Sequence, residues 1–144
     1  MSLYIKHNRE TYYDLLQRVR TEGDWESWLS FFLTGVYETA TQAAHTSKSI
    51  LHLFQGDQKQ IESLGRSAGT TLQVFKKLQL MPLTNITRLA QEAEITIPTV
   101  TAALGRLQEI GIVHEITSKR RHKLYSYANY IYLLSEGTEI TSRY

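Results

Sequence analysis

Four basic side chains crowd into five residues: Lys119, Arg120, Arg121 and Lys123. Cations at that density draw phosphate groups, because a local field acts over about a Debye length, ~8 Å in physiological salt, whatever the charge of the whole chain. Upstream, Pro98, Thr99, Ala102 and Arg106 share the side of a helical wheel opposite Val100, Leu104 and Leu107, with Thr101 at the flank and Thr96 at the start. These types suit contact with a duplex. Thr99 can donate to a phosphate or a base edge, and Ala102 is small enough to approach a thymine methyl. Arg106 can grip a guanine or pair with phosphate. Its place late in the helix favours phosphate, since the first turns of such a helix reach deepest. The alternative for the basic run is a solvated hairpin whose charges only discourage edge pairing.

The elements that must carry these residues are legible in order. Leu72, Phe75 and Leu78 mark a short amphipathic helix from Gly69, and Pro82 ends the link after it. Asn85 is placed to cap a second helix whose Ile86, Leu89 and Ala93 face inward. A tight turn at Glu94-Ile95 leads to Thr96, the cap of a third helix with Pro98 in its first turn. Ile97, Val100, Leu104 and Leu107 form its buried stripe, and Gly111 ends it. The turn position that often needs glycine carries Glu94, which predicts either another geometry or a strain of ~1 kcal/mol. Two strands follow, residues 112–116 and 124–127, joined by the basic loop. Helix, helix, turn, helix, hairpin is the order of a winged helix-turn-helix, three helices plus a two-stranded wing. The third helix would enter a major groove and the wing would straddle the backbone. The expected fold class is therefore mainly α: a helical segment over 1–64, then the winged domain over 65–144.

Before residue 65 the pattern is purely helical. No proline precedes Pro82, and Tyr12, Leu15, Leu16 and Val19 give one apolar face to a helix over 4–20. Thr21-Glu22-Gly23 breaks it and Asp24 caps the next. That helix keeps an apolar stripe from Trp25 through Phe54 to Gly56, and a short helix is expected over 58–64 after it. The Ala/Ser/Thr-rich stretch 39–49 suits close packing, in a bundle core or against a second copy of the chain. Trp25, Trp28 and the tyrosines Tyr125, Tyr127, Tyr130 and Tyr132 are read as packing residues before base-stacking ones.

Composition narrows the class further. The 144 residues carry a net charge of +2 and no cysteine. That excludes a disulfide framework, a Cys-ligated zinc and a thiol nucleophile, and it suits a cytoplasmic location. Charge is unevenly placed: residues 1–67 hold seven Lys/Arg against eight Asp/Glu, and residues 68–144 hold nine against six. No apolar run approaches the ~20 residues of a membrane helix, so no membrane partner is expected.

Several segments resemble the end of bacterial Fic-family proteins. They are Tyr4-Ile5-Lys6-His7-Asn8-Arg9, Tyr12-Tyr13-Asp14-Leu15-Leu16-Gln17, Gly23-Asp24-Trp25-Glu26-Ser27-Trp28 with Phe31-Phe32-Leu33, Leu64-Gly65-Arg66-Ser67-Ala68-Gly69, and Pro98-Thr99-Val100 through Leu104-Gly105-Arg106-Leu107 to Gly111-Ile112-Val113. The resemblance implies the carboxyl-terminal portion of such a protein, starting just after its catalytic part, with Met1-Ser2 an expression start. Fic enzymes transfer AMP from ATP to a protein hydroxyl, using a motif H-x-F-x-[D/E]-G-N-G-R-x-x-R and Mg²⁺. Here only His52-Leu53-Phe54 begins that motif, and Gln55-Gly56-Asp57-Gln58-Lys59-Gln60 departs from it. The chain itself is thus expected to be non-catalytic, with no metal site and no cofactor. ATP and Mg²⁺ would belong to the parent. Expected partners are double-stranded DNA, in a transcription-regulatory role, and the parent's Fic catalytic domain. A protein-interaction or homodimerisation module that regulates or targets the parent is the alternative.

Overall fold

A computed structural model describes residues 1–117 and 123–136. The described chain is mainly helical with one small antiparallel sheet, and it divides into two compact units, Met1–Lys48 and Ser49–Ser135.

The first unit contains α1 (Ser2–His7), α2 (Arg9–Glu22) and the first part of α3 (Trp25–Glu62). The single helix expected over 4–20 is split at Asn8, where the backbone leaves helical geometry (φ −108°, ψ 34°). The Asn8 amide side chain donates to the Tyr4 carbonyl at 2.9 Å, so the broken turn keeps a partner. Gly23 ends α2 in the left-handed region (φ 70°), and Asp24 caps α3 as expected by accepting from the Ser27 amide at 3.1 Å. Arg18 closes the corner on Asp24 at 2.6 Å. Tyr4 packs on Phe31, ring centroids 5.2 Å apart, and its ring lies over Gly35, where a Cβ would overlap it.

α3 runs unbroken through Gly56, where a helix end was expected. One glycine inside a helix costs only about 1 kcal/mol. The residues on either side return more than that: Ile61 and Asp57 are buried, and Leu53 and Phe54 pack on the core of the second unit. This is why that unit begins at Ser49, whereas the sequence placed the change of domain at residue 65.

The rest of the second unit follows from a 3-10 turn at Gly65–Ser67: α4 (Ala68–Leu80), β1 (Leu83–Asn85), α5 (Ile86–Ala93), α6 (Ile97–Glu109), β2 (His114–Glu115), β3 (Leu124–Ser126) and α7 (Ala128–Ser135). Val74, Phe75 and Leu78 of α4, Leu89 of α5 and Val100, Leu104 and Leu107 of α6 meet in one core, which Ile112, Val113 and Tyr127 complete. The sheet order is β1-β3-β2, all antiparallel, with Leu83 opposite Ser126 and Glu115 opposite Tyr125. The expected hairpin thus gains a third strand, β1. Leu-Thr-Asn is too short to show a period of two, and only pairing with β3 makes it a strand. Both hairpin strands are also shorter than expected, and α7 forms where only a terminal segment was read.

Asn85 caps α5 through Oδ1, which accepts from the Arg88 amide at 2.9 Å. Glu94 ends it in the left-handed region (φ 56°), with the Ile95 amide bonded to the Ala90 carbonyl at 3.1 Å. Gly111 ends α6 in the same manner (φ 75°), with the Ile112 amide on the Leu107 carbonyl at 2.9 Å. Both are helix ends closed by a residue of positive φ. At Glu94 the side chain makes that conformation cost about 1 kcal/mol, the strained outcome of the two expected.

Candidate functional site

α6 owes its position to its inner side. Val100, Ala103, Leu104 and Leu107 are buried against α4 and α5, so rotation about its axis would expose all four. Ile97, counted in the buried stripe from sequence, is exposed at 53%. It is the first residue of the helix, and Ala103 fills the inner row instead.

The outer side holds the residues singled out by sequence. Thr96, Pro98, Thr101 and Ala102 are exposed, and Thr99 and Arg106 are half-buried. Pro98, Thr99, Ala102 and Arg106 line one open cleft of about 500 Å³ together with Arg66, Ser67 and Thr70. Thr96 does not cap α6 with its side chain. Its Oγ1 instead shares a hydrogen with the Thr99 Oγ1 at 2.7 Å. Only one proton lies between those oxygens, so one of the two hydroxyls keeps its own proton for an outside acceptor. Thr101 stands apart from the cleft, and its hydroxyl donates back to the Ile97 carbonyl at 2.8 Å.

Electrostatically the cleft is one-sided. No carboxylate lines it, and neither Arg66 nor Arg106 forms an ion pair among the described residues. The hairpin differs. Lys123 Nζ sits 2.8 Å from Glu115 Oε2, and that hydrogen bond raises the lysine's pKa. Its charge is therefore partly answered within the hairpin. Lys119, Arg120 and Arg121 lie outside the described residues.

Sequence reasoning missed Arg66, Ser67 and Thr70. Arg66 follows Gly65, whose positive φ (64°) turns the chain before α4, and Ser67 precedes the first residue of that helix. A basic residue in such a turn was visible in the sequence. That it lines one cleft with Arg106, forty positions on, was not.

A second polar feature lies in the core of the same unit. Asp57 accepts a hydrogen bond from the Tyr127 hydroxyl, and both residues are buried. Burial pushes the Asp57 carboxyl above the usual carboxylate range, and burial together with the Asp57 contact pushes Tyr127 up as well. His52 is exposed on α3. Among the described residues no three His, Asp or Glu side chains are grouped to hold a metal, and no helix is long and apolar enough to cross a membrane. Compared with models of known protein families, the chain matches none.

Proposed function

We propose that Ser49–Ser135 is a winged helix-turn-helix module that docks on double-stranded DNA, with α6 in the major groove and the β2–β3 hairpin as the wing. The observation that carries this reading is the outer side of α6: uncovered by the described residues, free of carboxylate before Glu109, and continuous with a cleft whose charged lining, among the described residues, is two arginines. An α-helix fits the ~12 Å major groove, and small or hydroxyl side chains at Thr99, Thr101 and Ala102 allow its backbone to approach base edges. The order α4, α5, turn, α6, hairpin, with β1 added to the sheet, suits that docking. Lys119, Arg120, Arg121 and Lys123 supply phosphate contacts from the loop. The role is transcription-regulatory and cytoplasmic, and the resemblance to the end of Fic-family proteins supports a parent that carries the AMP-transferring part, with its ATP and Mg²⁺, elsewhere.

Fluorescence anisotropy with a random duplex at low salt tests this. The chain binds, log K falls with log salt at a slope of about −3 to −4, and the triple variant Arg120→Ala, Arg121→Ala, Lys123→Ala loses binding. Absence of duplex binding by the wild-type chain at low salt would sink the proposal.

One observation favours a second reading, a protein-interaction or dimerisation module. In Met1–Lys48, Trp25, Leu29, Leu33, Val36 and Tyr37 are all exposed, an apolar surface of the kind partners cover. Sedimentation velocity over a hundredfold range of concentration distinguishes a self-associating chain from a monomer.

A further inference from the structure

The cleft between the 3-10 turn before α4 and the outer side of α6 has a feature that groove docking alone does not require. Two guanidinium groups from distant parts of the chain, Arg66 and Arg106, line the same 500 Å³ space, and no carboxylate is among its described lining residues. Like charges brought together repel, and in a structural role one expects an acid nearby to offset them. Neither has an ion-pair partner among the described residues. The remaining polar lining consists of hydroxyls. Thr70 Oγ1 makes no hydrogen bond with a described residue, the Thr96–Thr99 pair leaves one proton over, and Ser67 Oγ has its proton on the Leu64 carbonyl at 3.2 Å. Pro98 and Ala102 complete the lining and add no polar side-chain atom.

From this arrangement we infer that the cleft is a phosphodiester site: Arg66 and Arg106 together hold one backbone phosphate of the bound duplex. The inference rests on the DNA-docking reading above and deepens it. A phosphodiester is a monoanion with two unesterified oxygens, and a guanidinium presents paired N–H donors that match them. Two arginines lining one cleft can each take one oxygen, with Thr70 and Thr99 supplying neutral hydroxyls. Arg106 then positions the helix and does not read a base. Arg66 becomes a binding residue that fixes the register of α6, since it stands in the turn before α4 and α4 packs on α6.

The test uses the full chain, labelled duplexes of several sequences and salt from 50 to 200 mM, a range chosen because phosphate contacts reveal themselves there. Arg66→Ala and Arg106→Ala each weaken binding about fivefold, by the same factor on every duplex. Because one phosphate is shared, the double variant flattens the log–log salt slope by about 1. Circular dichroism shows both variants folded, as expected for an exposed Arg66. In a parallel titration with inorganic phosphate, NMR shifts appear at Ser67, Thr70, Thr99 and Arg106 in the wild type and vanish in Arg66→Ala. If Arg66→Ala binds duplex with wild-type affinity and slope, the inference is wrong while the docking reading survives. A slope change of about 2 in the double variant means two separate phosphates and also overturns it, as does an Arg106→Ala loss confined to guanine-containing sequences. A wild-type chain that binds no duplex removes the docking reading, and the phosphodiester assignment with it, even if inorganic phosphate still shifts these amides.

Discussion

In Ser49–Ser135, the apolar residues of α4, α5 and α6 face one another, and Val74, Leu78, Leu89, Val100, Leu104 and Leu107 are fully buried. In Met1–Lys48, Leu15 is the one buried apolar side chain larger than glycine among the described residues, while Trp25 and Leu33 stand about 60% exposed. Both units are built from helices with one apolar face. They differ in whether the apolar faces find partners within the unit. Burial is worth roughly 25 cal/mol per Å² of apolar surface, so the second unit can hold its site residues rigidly by itself. The first leaves much of that driving force unused. A precise binding surface is therefore better sought on the second unit and a docking partner on the first.

That contrast can be broken by mutation. The largest effect is expected for Leu104→Ala, which empties a site at the centre of the second unit and should cost about 3–4 kcal/mol in urea unfolding. Tyr127→Phe removes the hydroxyl from a buried Asp57 and should cost about 1–2 kcal/mol, because the carboxyl loses its donor.

The two units should also respond oppositely to acid. Burial raises the Asp57 pKa, so its contribution is fully present below the unfolded value near pH ~4 and is lost as pH rises through the higher folded value. At Asp24 the Ser27 amide, and then Arg18, lower the pKa. Its contribution is present above that same unfolded value and is lost as pH falls through the lower folded one. Thermal unfolding between pH 3 and 7 (a window of about four units around the usual carboxylate pKa) should therefore change slope in opposite senses in Asp57→Asn and Asp24→Asn. A common sign in the two variants would show that one of these environments has been misread.

Smaller effects sharpen the comparison. Gly35→Ala forces the Tyr4 ring aside, yet that ring is half-exposed and can move, so about 1 kcal/mol is expected. Leu33→Ala, on the open face of α3, should lie within about 0.5 kcal/mol of wild type. A loss at Leu33 comparable to that at Leu104 would mean the first unit's face is covered in solution, and sedimentation of the variant would then show what covers it.

Local chemistry was legible wherever a residue acts on its own neighbours. Asp24 and Asn85 announced helix starts, Gly23 and Gly111 announced ends, and the inner row of α6 followed from spacing at Val100, Leu104 and Leu107. The outer side of the same helix was therefore legible too, including Pro98, Thr99, Ala102 and Arg106. Glu94 was legible as a turn position needing either another geometry or a strained backbone, and its positive φ chose the second.

What needed the tertiary structure was each feature made by residues far apart in sequence. Gly56 ends no helix because Phe54, Asp57 and Ile61 are held by a core assembled from residues 74–127. Leu83–Asn85 is a strand only because Leu124–Ser126 lies beside it. Arg66 shares a cleft with Arg106 only because α4 packs on α6. Propensity and capping act over one or two turns of chain, so the amino-acid order could specify elements and their faces. Which faces meet depends on packing among all of them at once, and the cleft that gathers the arginines exists only after that packing is complete.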